Sequence, residues 1–397
     1  MHANPDPPRA LRELAGLFLK LGTIGFGGPA AHIALMEDEV VRRRRWLTRE
    51  EFLDLLGATN LIPGPNSTEM AIHIGHRRAG WPGLIVAGVC FILPAMLIVI
   101  GCGWAYVRYG KLPQAEAILY GIKPVIIAVV VQALWGLGKT AVRTVPLGVV
   151  ALASAALNLA GGNELLLLLG AGVALMALRS GSRRRKELPA VVLPIPWVRP
   201  ALAAAVPGAT AAVAAPFGLW PMFLFFLKVG SVLYGSGYVL LAFLRSGLVE
   251  RLGWLSETQL LDAVAVGQFT PGPVFTTATF IGYVTSGPLG AVVATLGIFV
   301  PAFIFVAISA PLLPKLRNSA VAGAFLDGLN VASLALMAVV TWELGRAALF
   351  PANRMDALAA VLAAAAFLAI AWGKVNSAWV VLAGALVGVV RAYALPG

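Results

Sequence analysis

Two Pro-Gly-Pro sequences, each flanked by amide and hydroxyl side chains, lie inside apolar stretches of this chain. They are Pro63-Gly64-Pro65 and Pro271-Gly272-Pro273. Two prolines remove two backbone donors and the glycine permits a sharp turn, so neither stretch is expected to be one continuous helix. The polar residues around them are Asn60, Asn66, Ser67, Thr68, Gln268, Thr270, Thr276 and Thr277. Such side chains suit hydrogen bonding to oxyanion oxygens, although helix capping uses the same residues.

A glycine-rich break precedes each Pro-Gly-Pro sequence. The first reads Gly25-Phe26-Gly27-Gly28-Pro29 and its counterpart reads Leu233-Tyr234-Gly235-Ser236-Gly237. Unwound backbone leaves unpaired N–H groups, and a helix that restarts after it directs a positive dipole end at whatever binds there. The breaks therefore predict an anion site, while close helix packing is the alternative use of the same glycines.

Lys20 and Lys228 each lie in an apolar stretch, two residues before a glycine. A charge inside a membrane is costly and indicates function by default. The alternative is that each lysine extends to the membrane interface. If both point inward, two positive charges match a dianion.

Three carboxylates complete the candidates. Glu69 follows the first turn, and it would couple protons to transport if it were buried and titrated. An ion pair with Arg77 or Arg78, one to two turns away, is slightly favoured over that role. Asp54 and Asp262 follow the predicted N-caps Thr48 and Ser256 and are interpreted as structural.

The breaks, the lysines and the aspartates occur twice because the chain is duplicated, whereas Glu69 has a threonine at its counterpart. Residues from Phe18 to about Arg143 correspond to residues from Phe226 to about Arg354. The offset is 208 from Lys20 through Pro63 and 207 from Pro94 onward, which indicates one deletion between about residues 66 and 74. A membrane segment that is broken at the same place in both halves is a pointer to the substrate site of a transporter.

The composition predicts an all-α polytopic membrane protein. The chain has 397 residues, of which 59% are hydrophobic and 12% charged, against about 25% charged in soluble domains. Each half holds about six helical segments. They are expected near 11–40, 51–75, 82–109, 115–143, 144–160 and 163–179, then near 221–247, 258–284, 288–313, 319–348, 356–373 and 376–394.

The net charge of +12 is assigned to cytoplasmic loops rather than to nucleic-acid binding, because basic residues cluster at the ends of apolar segments. Cys90 and Cys102 form no Cys-x-x-Cys pair, and the histidines have no metal-ligand spacing. Nucleotide-binding and hydrolase motifs are missing as well. We therefore expect no cofactor, no metal and no enzyme activity.

Three regions are predicted: a first repeat at 1–179, a basic and Pro-rich linker at 180–220, and a second repeat at 221–397. An Ala-rich stretch from Ala201 to Leu219 has no counterpart in the first half. If it spans the membrane, the second repeat is inverted relative to the first. Basic residues on both sides of Pro63 suggest that this segment enters and returns, but hydropathy leaves a full crossing open.

The ordered set Phe26-Gly27-Gly28-Pro29, Trp46-Leu47-Thr48 and Pro63-Gly64-Pro65, repeated after about 207 residues, resembles the chromate ion transporter (CHR) family in its long two-domain form. The resemblance covers nearly the whole chain. It implies an exporter of chromate in the cell inner membrane that confers chromate resistance, with sulfate as a competing or exchanged anion. It also assigns the family motifs to Gly25, Gly27, Gly28 and Pro29 and to both Pro-Gly-Pro sequences. Ile62 and Asn66 flank the first of these, where Thr270 and Val274 flank the second, so the halves are not equivalent.

We therefore predict a secondary transporter of chromate or sulfate in the lipid bilayer, with Gly/Pro-broken helices meeting at the interface of two inverted repeats. Alternating access would move one repeat around that site. A passive anion channel and an oxyanion uptake carrier are the alternatives. The sequence leaves a homodimer open.

Overall fold

A computed structural model describes residues 7–26, 28–110, 112–183, 217–234, 239–309, 320–350, 354–373 and 375–394. Its described parts form fourteen α-helices, seven in each repeat, so that each helix of the first half has its counterpart seven helices later. The first seven are α1 (Pro7–Ile24), α2 (Gly28–Glu37), α3 (Arg49–Thr59), α4 (Asn66–Tyr109), α5 (Pro113–Ala141), α6 (Val145–Leu159) and α7 (Glu164–Arg183). The second seven are α8 (Leu219–Val232), α9 (Leu240–Leu244), α10 (Glu257–Phe269), α11 (Thr277–Ser309), α12 (Ala320–Leu349), α13 (Ala357–Ala371) and α14 (Ser377–Ala394).

These helices confirm the predicted all-α fold. The segment expected at 11–40 is two helices, α1 and α2, separated at the glycine-rich break, and α2 continues as a π-helical turn over Asp38–Arg43. Within the described ranges, five helices are long and apolar enough to cross a membrane, judged by length and composition. They are Asn66–Tyr109, Pro113–Ala141, Val274–Ser309, Gly323–Leu349 and Ser377–Ala394.

The helices before the two Pro-Gly-Pro turns start at matching capping boxes. The Thr48 side chain accepts a hydrogen bond from the Glu51 amide, and the Glu51 side chain accepts one from the Thr48 amide. Ser256 and Gln259 repeat the arrangement at α10. Both N-caps predicted from the sequence are confirmed, and each satisfies backbone donors that the first helical turn leaves unpaired.

Both α4 and α11 are sharply bent, and each helix folds back on itself at the bend. The backbone leaves helical geometry at Ala79 and Gly80 in α4, where Gly80 has a φ of 60°. Gly75 on the first arm of α4 (residues 66–78) packs directly against Gly83 on the second arm (residues 81–109). In α11 the same bend falls at Ser286 and Gly287 and divides arms at 277–285 and 288–309. The first arms are therefore short, and the second arms are the long apolar spans.

The two repeats run in opposite directions. Gly88 of α4 lies against Phe303 of α11, whereas Gly103 of α4 lies against Tyr283. Tyr283 lies beside the bend of α11 and Phe303 lies near the end of its second arm, so the second arms of α4 and α11 run antiparallel, as in an inverted repeat. The Ala-rich stretch on which the sequence argument for inversion depended lies, up to residue 216, outside the described residues.

The repeats interleave in two bundles. The inner bundle contains α1 to α4 with α8 to α11, and the outer bundle contains α5 to α7 with α12 to α14. In the outer bundle, Gly121 of α5 packs against Gly384 of α14, and Gly328 of α12 packs against Ala171 of α7. Small residues allow helices to approach closely in a membrane. The glycine-rich and Pro-Gly-Pro breaks all belong to the inner bundle.

Candidate functional site

Two hydrogen bonds join the four breaks across the repeat interface. The Gly64 amide donates to the Leu233 carbonyl at 2.8 Å, and the Gly272 amide donates to the Gly25 carbonyl at 2.8 Å. Gly64 corresponds to Gly272, and Gly25 to Leu233, by the same offset of 208. Each Pro-Gly-Pro turn is thus held by the glycine-rich break of the opposite repeat. The breaks converge, as the sequence pattern predicted.

The two turns also pack against the long arms of the opposite repeat. A Cβ atom at Gly272 would come within 2.5 Å of the Ala95 Cβ atom, and one at Gly64 would face Ala302, the counterpart of Ala95. Gly64 and Gly272 have φ angles of 136° and 89°, which L side chains rarely adopt. Both the backbone conformation and the close approach therefore require glycine.

The first Pro-Gly-Pro turn is the tip of a hairpin formed by α3 and the first arm of α4, and the second turn joins α10 to α11 in the same way. Arg77, at the end of the first arm of α4, forms an ion pair of 3.0 Å with Glu51 at the start of α3. Arg78 pairs with Glu13 of α1 at 3.0 Å. Because both ends of the segment meet at one charged base, α3 and the first arm of α4 run up to the tip and back. The chain therefore folds back at the first tip, as a segment that enters the membrane and returns would.

The polar side chains at the tips differ in availability. The Asn66 side chain donates to the Asn60 side-chain oxygen at 2.9 Å across the first turn. The hydroxyls of Thr270, Thr276 and Thr277 instead donate to backbone carbonyls within their own helical turns. The Thr68 hydroxyl and the Gln268 amide nitrogen are buried, and neither has a hydrogen-bond partner in the described part of the chain. Thr68 and Gln268, together with the Asn60 and Asn66 amide atoms that their mutual bond leaves free, are therefore the candidates for ligand binding.

The two lysines do not contact the tips. Gly22 packs against the Phe91 carbonyl of α4, and Lys20, two residues earlier, lies on the other side of α1 and is about half exposed. Its ammonium group forms a 2.7 Å ion pair with Glu39, and this hydrogen bond lowers the pKa of Glu39 below its usual range. Lys228 is exposed on α8, and no ion pair to it is found among the described residues. The two lysines are equivalent in sequence, but among the described residues only Lys20 has its charge paired with a carboxylate.

Glu69 does not form the predicted ion pair. Arg77 and Arg78 are engaged by Glu51 and Glu13, while Glu69 is fully buried. Both of its carboxylate oxygens lack a hydrogen-bond partner within the described ranges. The expectation of a Glu69 ion pair was wrong because the first arm points Glu69 towards the tip and places the arginines at the base.

His32 lies where the breaks converge, and the sequence did not single it out. It follows the glycine-rich break on α2, is 2% exposed, and its Nε2 lies 2.9 Å from the Gly25 carbonyl. That carbonyl also accepts the bond from Gly272. A lone histidine in an apolar segment directly after a break was the available signal. Gly27, Gly235 and Gly237, which the sequence placed in the site, lie outside the described residues.

The two hairpins are enclosed unequally. Asp262 of α10 forms an ion pair with Lys123 of α5 at 3.1 Å, and its other oxygen accepts a hydrogen bond from Tyr106 at 2.9 Å. Asp262 is thus structural, as expected, but it acts between helices rather than at a helix start. All residues from Leu260 to Gly267 are buried, whereas Leu53 on α3 is 51% exposed. The outer bundle therefore covers the second hairpin and leaves the first one more open.

The family model for the chromate transporter matches this chain twice, over residues 12–176 and 220–389. The chain belongs to the chromate transporter family. It is 32% identical to the chromate transport protein of Cupriavidus metallidurans over 97% of its own length and 94% of that protein. Identity to the chromate transport protein of Pseudomonas aeruginosa is also 32%, with coverage of 96% and 92%.

A probable chromate transport protein of Synechococcus elongatus is 33% identical, with 86% of each chain covered. No solved structure matches the chain. The two matches of the family model and the apolar helices identify a multi-pass membrane protein of a transporter family in the two-repeat form. The resemblance seen in the sequence motifs is thereby confirmed.

Proposed function

We propose that this chromate transporter family member is a secondary transporter that exports chromate through the cell inner membrane and confers chromate resistance. The observation that carries the proposal is the pair of reciprocal bonds, Gly64 to Leu233 and Gly272 to Gly25. They gather the broken helices of two inverted repeats at one place, which is where transporters of this architecture bind their substrates.

The helix ends at the tips favour an anion. The first arm of α4 starts at Asn66, directly after Pro65, and α2 starts at Gly28, directly after the glycine-rich break. The first amides of each helix have no intrahelical acceptor and carry the positive end of the helix dipole. With the amides of Asn60 and Gln268, these donors suit the four oxygens of a tetrahedral dianion. Chromate and sulfate share that shape and charge, so sulfate competes for the site.

Export agrees with the charge of the substrate. A membrane potential that is negative inside contributes about 2.3 kcal/mol per elementary charge for each 100 mV, or about 4.6 kcal/mol for a dianion leaving the cell. An uptake carrier for the same dianion would have to work against that potential. Of the two equivalent lysines, Lys228 is the one without an ion pair among the described residues, and its charge would attract the anion towards the site.

The packing of the tips supports a carrier rather than a passive channel. Pro63 to Pro65 and Pro271 to Pro273 are buried. Of the cavities described, one is an apolar groove between α5 and α12 and the other is a polar cavity near Arg245, and neither includes a tip residue. The backbone of both turns is shielded in this conformation, and alternating access would expose it by separating the tips.

Transport of labelled chromate and sulfate in everted and right-side-out membrane vesicles tests the proposal. We expect saturable uptake of chromate into everted vesicles, inhibition by sulfate, and stimulated exchange when unlabelled chromate is inside. Flux that rises linearly with concentration and shows no exchange would identify a channel. Net accumulation in right-side-out vesicles alone would identify an uptake carrier.

A further inference from the structure

Two buried titratable side chains on the first arm of α4 are not used by the anion site. Glu69 and His73 are 0% and 2% exposed. They are four residues apart, so they lie on the same face of the helix. The carboxylate oxygens of Glu69 and the Nε2 atom of His73 have no hydrogen-bond partner in the part of the chain that the structure describes. Buried polar atoms are seldom left unpaired, so these atoms are expected to bind a proton, a water molecule or another ligand.

Glu69 lies directly behind the first tip. One of its carboxylate oxygens occupies the space beside Gly64 that a side chain at that position would need. Ala302 of α11 faces Gly64 as well. Tyr234, the residue after Leu233, is close enough to Glu69 for the two to interact electrostatically. The carboxylate is therefore next to the bond that joins the first tip to the second repeat.

No cation offsets a negative charge at this position among the described residues. Arg77 and Arg78 are held at the base by Glu51 and Glu13. Tyr234 and His73, the titratable groups near Glu69, provide no fixed positive charge. An ionised carboxylate here would be both expensive to bury and repulsive to a dianion at the same tip. Both penalties disappear when Glu69 holds a proton.

We propose that Glu69 is a proton-binding site and that the protein carries one proton together with each oxyanion. This inference rests on the proposed transport function. A proton from water on one side binds a carboxylate oxygen of Glu69 and stays while the dianion is bound and the tips move. It returns to water on the other side after the anion has left. Only an O–H bond forms and breaks, and the membrane potential then drives the export of one net negative charge in place of the two of the bare dianion.

His73 provides the path for that proton. Its ring lies one turn further along the first arm, on the way from Glu69 to the charged base, and it interacts electrostatically with His76 near the bend. The second repeat lacks both groups. Threonine stands at the position of Glu69 by either offset, and Phe280 corresponds to His73. Proton binding is therefore a property of the first repeat alone.

The inference can be tested by transport measurements on the full-length protein in liposomes. The liposomes contain a pH-sensitive dye, and potassium with valinomycin clamps the membrane potential. For the wild type we expect chromate entry to acidify the interior. We also expect chromate exchange to fall by about tenfold per pH unit on the alkaline side, as for one proton that must be bound. Glu69→Gln, which is permanently neutral, should keep the exchange, lose the coupled proton movement and lose the pH dependence relative to wild type. Chromate's own acid–base equilibrium is common to both proteins and cancels in that comparison.

Glu50→Gln, on the exposed start of α3, is the matched control and should behave as wild type. If Glu69→Gln does not reach the membrane, Glu69→Thr, which introduces the residue of the second repeat, gives the same test. Wild-type chromate transport without proton movement would overturn the inference. So would proton coupling that survives in the neutral variant, or a folded neutral variant that no longer exchanges chromate. A wild type that transports no oxyanion would refute the proposed function instead.

Discussion

The amide of Gly272 donates a hydrogen bond to the carbonyl of Gly25, and this bond connects the second Pro-Gly-Pro tip to the first glycine-rich break. The equivalent bond from Gly64 to Leu233 connects the first tip to the second break. Because each repeat holds the tip of the other, neither tip can separate without disturbing a break in the opposite repeat. The geometry thus couples the two halves of the site mechanically.

Substitution of Gly272 by alanine should abolish transport. The residue has a φ of 89°, and its new Cβ atom would come within 2.5 Å of Ala95. The unfavourable conformation costs about 1–2 kcal/mol and overpacking adds about 1–3 kcal/mol, and both act at the tip. Gly57→Ala is the control, because nothing lies within 4 Å of a side chain there. Chromate transport normalised to protein in the membrane measures the effect, and an active Gly272→Ala variant would contradict it.

The two lysine variants should differ. Lys228→Ala removes the unpaired charge, and we expect the half-saturating chromate concentration to rise about tenfold, as for the loss of about 1.4 kcal/mol of electrostatic attraction to the dianion. Lys20→Ala should change it by less than about threefold, because Glu39 already offsets that charge at 2.7 Å. Initial rates of vesicle uptake give both values. Undiminished transport after both lysines are replaced would remove the charge-matching argument altogether.

The contact between α5 and α10 predicts a rescue experiment. Lys123→Ala leaves the Asp262 carboxylate, 2% exposed, without its cation and with only the Tyr106 hydrogen bond. Breaking a buried ion pair on one side costs about 3–5 kcal/mol. We expect a clear loss of thermal stability in detergent, followed by size-exclusion chromatography, and partial recovery in Lys123→Ala combined with Asp262→Asn. Equal stability of the single and double variants would show that the ion pair does not hold the second hairpin closed.

The sequence predicted the helices well because apolar length, capping residues and proline are local signals. The predicted segments at 82–109, 115–143 and 376–394 agree with the second arm of α4, with α5 and with α14 to within a few residues. The repeat offset also predicted that the breaks meet. It could not say which break meets which, because pairing across the two repeats depends on their inversion and not on periodicity.

The misjudged or missed residues are those whose environment is set by distant segments. Glu69 was paired with the nearest arginines, yet Arg78 reaches Glu13, which is 65 residues away. Tyr106 donates a hydrogen bond to Asp262, which is 156 residues away. The capping residue Ser256 near Asp262 gives no indication of that contact. Helical spacing identifies neighbours on one helix only. It cannot reveal which residues of other helices form ion pairs with the charged end of a hairpin.

Inversion of the repeats predicts that equivalent positions face opposite sides of the membrane. Glu50 and Thr258 are related by the offset of 208, and both are exposed near the starts of α3 and α10. In a protein with Cys90→Ser and Cys102→Ser, a membrane-impermeant maleimide should label Glu50→Cys only in everted vesicles and Thr258→Cys only in right-side-out vesicles. The charged end of the first hairpin, where Arg77 and Arg78 lie, is rich in arginine and is therefore expected in the cytoplasm. Labelling of both cysteines from the same side would contradict the antiparallel contacts of Gly88 with Phe303 and Gly103 with Tyr283, and with them the inverted architecture on which the anion site depends.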